Sequence, residues 1–124
     1  MYQITIETHF SSAHRLRDYN GECERLHGHN WKVQISVASD VLNDLGMVMD
    51  FKDIKSNVKP LIGKLDHQYL NDIPPFTEIN PTTENISKYL FDEFSKLINT
   101  DQIKVTKVEV WESTTSSASY TRSL

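Results

Sequence analysis

Ile4 and Ile6 alternate with Gln3, Thr5 and Glu7, a period of two that predicts a half-buried β-strand near the start of the chain. Carried forward without a bulge, the same parity puts Phe10 and His14 on the isoleucine face. The polar stretch from Asp18 to Glu24 contains Asn20-Gly21 and predicts a loop with a turn. Period two returns between His27 and Ser39, where Trp31, Val33, Ile35 and Val37 share one face. His27 and His29 have that parity too, so they extend the buried face at the first residues of the strand.

The pattern then changes to helical spacing. Asp50 predicts an N-cap, with Phe51, Ile54, Val58 and Leu61 or Ile62 following on one stripe. Pro60 predicts a kink or a fresh turn within it. The polar segment from Asn71 to Asn80, with its Pro-Pro pair, predicts a loop. Asn80 or Thr82 caps a second helix whose stripe is Ile86, Tyr89, Leu90, Phe94, Leu97 and Ile98. Strands resume from Ile103 to Trp111 and, after a turn, from Ser117 to Arg122. The order β-β-α-α-β-β predicts an α+β fold, an antiparallel sheet with two helices on one face. The second face of the sheet is left bare, and assembly with other subunits is the expected cover.

A chain of 124 residues predicts one domain over 1–124. Hydrophobic content of 38% and charged content of 24% fit a soluble globular protein. No apolar run approaches the roughly 18 residues of a membrane span, and the first residues lack the basic and apolar regions of a secretory leader. The single cysteine, Cys23, has no internal partner for a disulfide, so a reducing cytoplasm is the expected compartment. Net charge is −4 and the basic residues are scattered singly. That argues against nucleic acid and membrane as partners.

The chemistry gathers near His27-Gly28-His29. Cys23 lies four residues before the first of these histidines, and His14 lies 13 before it. Three imidazoles suit a catalytic zinc with one coordination position left open, although nickel, copper and iron also accept imidazole. Read plainly, His27 and His29 are ordinary strand residues; His14 on a matching face, with a cysteine nearby, favours the metal. Cys23 sits among Asn20, Glu22, Glu24 and Arg25, a polar context that suits a proton acceptor better than an inert core thiol. For Asp66-His67 adjacency alone favours a helix-terminal histidine beside a solvated carboxylate over an oriented proton relay. Glu112 shares its parity with Val108 and Val110, and the pattern leaves open whether it enters a cavity or ends its strand in water.

The stretches Ser12-Ala13-His14-Arg15, Cys23-Glu24-Arg25-Leu26-His27-Gly28-His29-Asn30, Met49-Asp50-Phe51, Leu65-Asp66-His67, Asn80-Pro81-Thr82-Thr83-Glu84-Asn85 and Glu112-Ser113 together resemble the 6-pyruvoyl-tetrahydropterin synthase superfamily. The likeness covers essentially the whole chain and is specific in combination. The three-residue spacing between Cys23 and His27, and the run Leu65 to Asp72, resemble the carboxy-forming branch of the queuosine and 7-deazaguanine pathway. Pyruvoyl-forming relatives tend to carry an insertion at that spacing. Ser113 to Ser119 departs from relatives that have extra cysteines there.

The resemblance implies a tunnelling fold (T-fold), in which sheets of several subunits close into a barrel, two barrels stack, and active sites lie between subunits. It further implies zinc on His14, His27 and His29, Cys23 as proton acceptor with His67 and Asp66 as partners, and Glu112 as the anchor of a pterin ring, with Thr82 and Thr83 completing its pocket. The implied enzyme is a zinc-dependent lyase acting on 7,8-dihydroneopterin triphosphate, in a cytoplasmic homo-oligomer, expected to be a hexamer. Arg15, Arg25 and Lys32 are candidate triphosphate contacts. Two alternatives stay open: a pyruvoyl-forming synthase, and a non-enzymatic zinc-binding assembly module.

Overall fold

The computed structural model describes residues 1–18 and 26–122. Two long strands, β1 (Tyr2–His14) and β2 (His27–Ser39), pair antiparallel over their full length. Helix α1 (Phe51–Leu65) follows, then the two-residue strand β3 (Gln68–Tyr69), a short 3-10 turn (Leu70–Asp72) and helix α2 (Thr83–Ile98). Strands β4 (Lys104–Ser113) and β5 (Ser116–Thr121) form a closing hairpin. The sheet order is β3-β1-β2-β4-β5.

The architecture is α+β, as the pattern predicts, with one correction. The sheet is mixed, because β3 runs parallel to β1 through Ser12–Gln68 and Ala13–Tyr69. Two residues of strand leave no alternation to read, so this pairing has no signature in the hydrophobic pattern. The four longer strands are antiparallel.

Inward residues of the sheet meet the apolar stripes of both helices in one core, which includes Trp31, Ile35, Ile54, Leu65, Phe91 and Phe94. Asp50 caps α1 as expected, its carboxylate accepting from Lys52 N at 2.9 Å. Thr82, rather than Asn80, caps α2 by accepting from Asn85 N at 3.1 Å. Helix α1 runs through Pro60 without interruption. Pro60 is on the solvent side, where water can serve the Ser56 carbonyl that lacks an N–H partner. Two predicted stripe residues are corrected. Phe51 and Leu97 are exposed by 51% and 52%, the first because it opens its helix outside the core and the second because Ile98 occupies the inward position of the last turn.

The sheet face without helices is polar. Thr5 and Ser36 hydroxyls lie 2.9 Å apart, Gln34 Nε2 donates to Glu7 Oε1 at 3.1 Å, and the Lys32 ammonium stands 4.5 Å from the Trp111 ring centroid. Water, rather than apolar cover, satisfies such a surface.

Candidate active site

Strand register builds the site. Ser12 pairs with His29 and His14 with His27, the next two same-face rungs beyond the stacked pair Phe10 and Trp31. The three predicted histidines therefore project from the same inner face at the same end of the sheet. Their ring centroids lie 4.7 to 5.1 Å apart. Trp31, fully buried, forms the floor: His14 and His29 stand edge-on to it at 5.0 and 5.2 Å, and its indole N–H donates to Ser12 O at 3.2 Å.

Glu112 joins this cluster from β4. Its Oε1 lies 3.0 Å from His29 Nε2, and its Oε2 accepts from Thr83 Oγ1 at 3.0 Å. The parity shared with Val108 and Val110 thus does carry Glu112 inward. Ligating atoms of His14, His27, His29 and Glu112 all lie within 4.8 Å of one another, an arrangement able to bind a metal ion.

Three observations show that the residues fit a metal. His14 Nδ1 lies 2.8 Å from Pro81 O. A carbonyl only accepts, so Nδ1 carries the proton and the neutral ring presents the Nε2 lone pair, the arrangement typical of a ligating histidine. Next, Nε2 of His14 and of His29 are buried and make no hydrogen bond among the described residues; the approach of Glu112 to His29 lacks hydrogen-bond alignment. Buried polar atoms of this kind call for a partner. Finally, burial lowers the pKa of both His14 and His29 below the ordinary imidazole value, overriding the Pro81 hydrogen bond at His14 and the Glu112 carboxylate. Burial holds the rings neutral and ready to ligate.

A cavity of about 540 Å³ opens beside the cluster, lined by His14, His27, Thr82, Thr83 and Glu112 among others. Its size suits a small-molecule ligand. The structure therefore brings together the three histidines and the three residues expected to bind substrate. Thr82 reaches the site mainly as the helix cap, whereas Thr83 holds the Glu112 carboxylate directly.

Asp66 and His67 lie elsewhere. His67 follows α1 with φ of 57°, and its N–H donates to Ser11 O at 2.6 Å. The two side chains do meet, at 3.0 Å between His67 Nδ1 and Asp66 Oδ2, which the plain reading of adjacency disfavours. The left-handed turn at His67 is what folds its ring back onto the preceding carboxylate. Ser11 N donates to Asp66 Oδ1 at 2.8 Å, and that bond, more than the His67 contact, holds the Asp66 carboxyl below its usual range. His67 is 82% exposed and lines a second concavity with Ser11, His29, Asn30 and Gln68, which touches the cluster at His29 but does not include His14, His27 or Glu112. Lys32 also faces away from the histidines, over Trp111. Cys23 and Arg25 lie outside the described residues.

The sequence pattern missed the Pro81 carbonyl and the Trp31 floor. A backbone acceptor leaves no side-chain signal, and Trp31 is indistinguishable from core by alternation.

The comparisons agree with this geometry. A family model for 6-pyruvoyl tetrahydropterin synthase matches residues 3–123. The chain is 40% identical over 125 residues to a 6-carboxy-5,6,7,8-tetrahydropterin synthase from Synechocystis sp., covering 97% of this chain and 93% of that protein. It is 36% identical over 102 residues to a 6-pyruvoyl tetrahydrobiopterin synthase from Dictyostelium discoideum, covering 73% and 76%. In structure it resembles the 6-pyruvoyl tetrahydropterin synthase of Caenorhabditis elegans with a TM-score of 0.86, at 26% identity over 99% of this chain and 98% of that one. Matched along nearly its full length in both sequence and fold, the chain belongs to the 6-pyruvoyl tetrahydropterin synthase family.

Proposed function

We propose that this chain is a zinc-dependent lyase that converts 7,8-dihydroneopterin triphosphate and water to 6-carboxy-5,6,7,8-tetrahydropterin, acetaldehyde and triphosphate, a step of queuosine and 7-deazaguanine biosynthesis in the cytoplasm. The observation that carries this reading is the three-histidine cluster whose buried Nε2 atoms on His14 and His29 make no hydrogen bond, set beside a carboxylate-bearing cavity. The 40% identity to a carboxy-forming relative supports the choice of product.

His14, His27 and His29 would hold the ion. Bound there, zinc supplies a Lewis acid that lowers the pKa of side-chain hydroxyls and of the adjacent C–H bonds. Glu112, restrained by Thr83 Oγ1, accepts from the amino and ring N–H donors of the pterin and orients it. Cys23 takes the carbon-bound proton as its thiolate. The Asp66–His67 pair transfers protons on the other side. Neither Asp66 nor His67 lines the cavity of His14, His27 and Glu112, and the resemblance places active sites between subunits, so in this reading a neighbouring copy delivers the pair to the site. This role requires a homo-oligomer, and six subunits are the number we propose.

Purified protein given dihydroneopterin triphosphate tests the reading. Mass spectrometry should show a one-carbon acid on the ring, with acetaldehyde released. A product that keeps all three side-chain carbons places the chain in the pyruvoyl-forming branch. Bound zinc with no turnover of either kind leaves only a zinc-binding assembly module.

A further inference from the structure

The segment Asn80–Asn85 contributes more than its two threonines. Asn80 grips the backbone of Arg17 at both ends of its amide: Arg17 N donates to Asn80 Oδ1 at 2.8 Å, and Asn80 Nδ2 donates to Arg17 O at 3.0 Å. The next residue, Pro81, is buried and offers the carbonyl that His14 Nδ1 reaches at 2.8 Å. Consecutive residues of one segment thus pin both ends of the span from His14 to Arg17. The bracket is itself braced. Asn85 Nδ2 donates to Asn80 O at 2.8 Å, and the Arg17 guanidinium donates to the carbonyls of Phe76 at 2.7 Å and Ile79 at 3.2 Å.

We infer that Asn80 is a positioning residue of the metal centre: by clamping Arg17 it holds the Pro81 carbonyl against His14 Nδ1, and so sets the tautomer and ring direction of that ligand. The inference rests on His14 being a metal ligand, as proposed above. Partners of this kind orient ligating histidines, and their loss typically weakens metal binding by about 10- to 100-fold. It also assigns the Arg17 guanidinium, spent on carbonyls, to holding the segment rather than to binding phosphate.

The fold supplies an internal control. Asn71 makes the same two-ended grip on Arg15, accepting from Arg15 N at 2.9 Å and donating to Arg15 O at 2.8 Å. It is more deeply buried than Asn80, but among the described residues its neighbours Leu70 and Asp72 make no hydrogen bond to the ring of His14, whose Nδ1 is held by Pro81 O. A purely structural clamp would make the two asparagines equivalent.

The experiment compares Asn80→Ala and Asn71→Ala with the unmodified full chain. Zinc affinity is measured by competition with a chromophoric chelator, and cobalt(II) substitution reports ligand geometry through its visible absorption. Asn80→Ala should weaken zinc binding about 10-fold or more and alter the cobalt spectrum. Asn71→Ala should lower the melting temperature while leaving both metal readouts unchanged. If Asn80→Ala does not fold, Asn80→Asp, which keeps the acceptor but loses the donor to Arg17 O, should show the same loss. Wild-type affinity in the Asn80 variant, or equal weakening in both, overturns the inference. Full zinc affinity in His14→Ala would instead remove the ligand assignment, and the inference with it.

Discussion

At the scale of single residues, the site depends on which groups are kept neutral and which are held in place. His14 and His29 have folded-state pKa values lowered from 6.5, chiefly by burial. A histidine with a depressed folded pKa binds fewer protons folded than unfolded. Its contribution is therefore fully present above the unfolded value and is lost as pH falls below it, toward the folded value. Metal-free protein should melt at a lower temperature at pH 5.5 than at pH 7.5, and His14→Gln should show a smaller difference. An undiminished difference in the variant would mean that other groups carry the effect. Cys23 gives a second test. As a proton acceptor outside the ligand set, its replacement in Cys23→Ala should abolish turnover and leave zinc content intact; loss of zinc would make it a ligand.

At the scale of elements, alternation was legible wherever a strand has one wet and one buried face. The parity of His14, His27 and His29 with Ile6, Trp31 and Ile35 placed all three on the inner face, and the register of β1 with β2 brought them together. What escaped the pattern was shorter than one period or carried by the backbone: the two-residue β3, the positive φ of His67, and the carbonyl of Pro81. Pro60 shows a further limit. A proline inside a helix is destabilising, yet packing of Ile54, Val58, Leu61, Ile62 and Leu65 carries α1 past it. Because Pro60 is exposed, Pro60→Ala should stabilise the protein by about 1–3 kcal/mol in urea denaturation. Unchanged or reduced stability would mean the helix bends at that residue to fit the core.

At the scale of the whole molecule, the helix-free face is a mesh of hydroxyls, amides and charges, which fits a water-filled lumen better than an apolar joint. Assembly is then expected to work through strand edges, because β5 and most of β1 have no outer strand partner among the described residues. Light scattering should return an oligomer, with six copies as the expected number, and a monomer at micromolar concentration would contradict a shared active site. The central claim, a metal held by three imidazoles with Cys23 left free for chemistry, is tested most directly by zinc X-ray absorption on the purified assembly. The expected result is about one zinc per chain with nitrogen and oxygen neighbours at roughly 2.0–2.1 Å. A sulfur neighbour at roughly 2.3 Å, or protein without stoichiometric zinc, would contradict it.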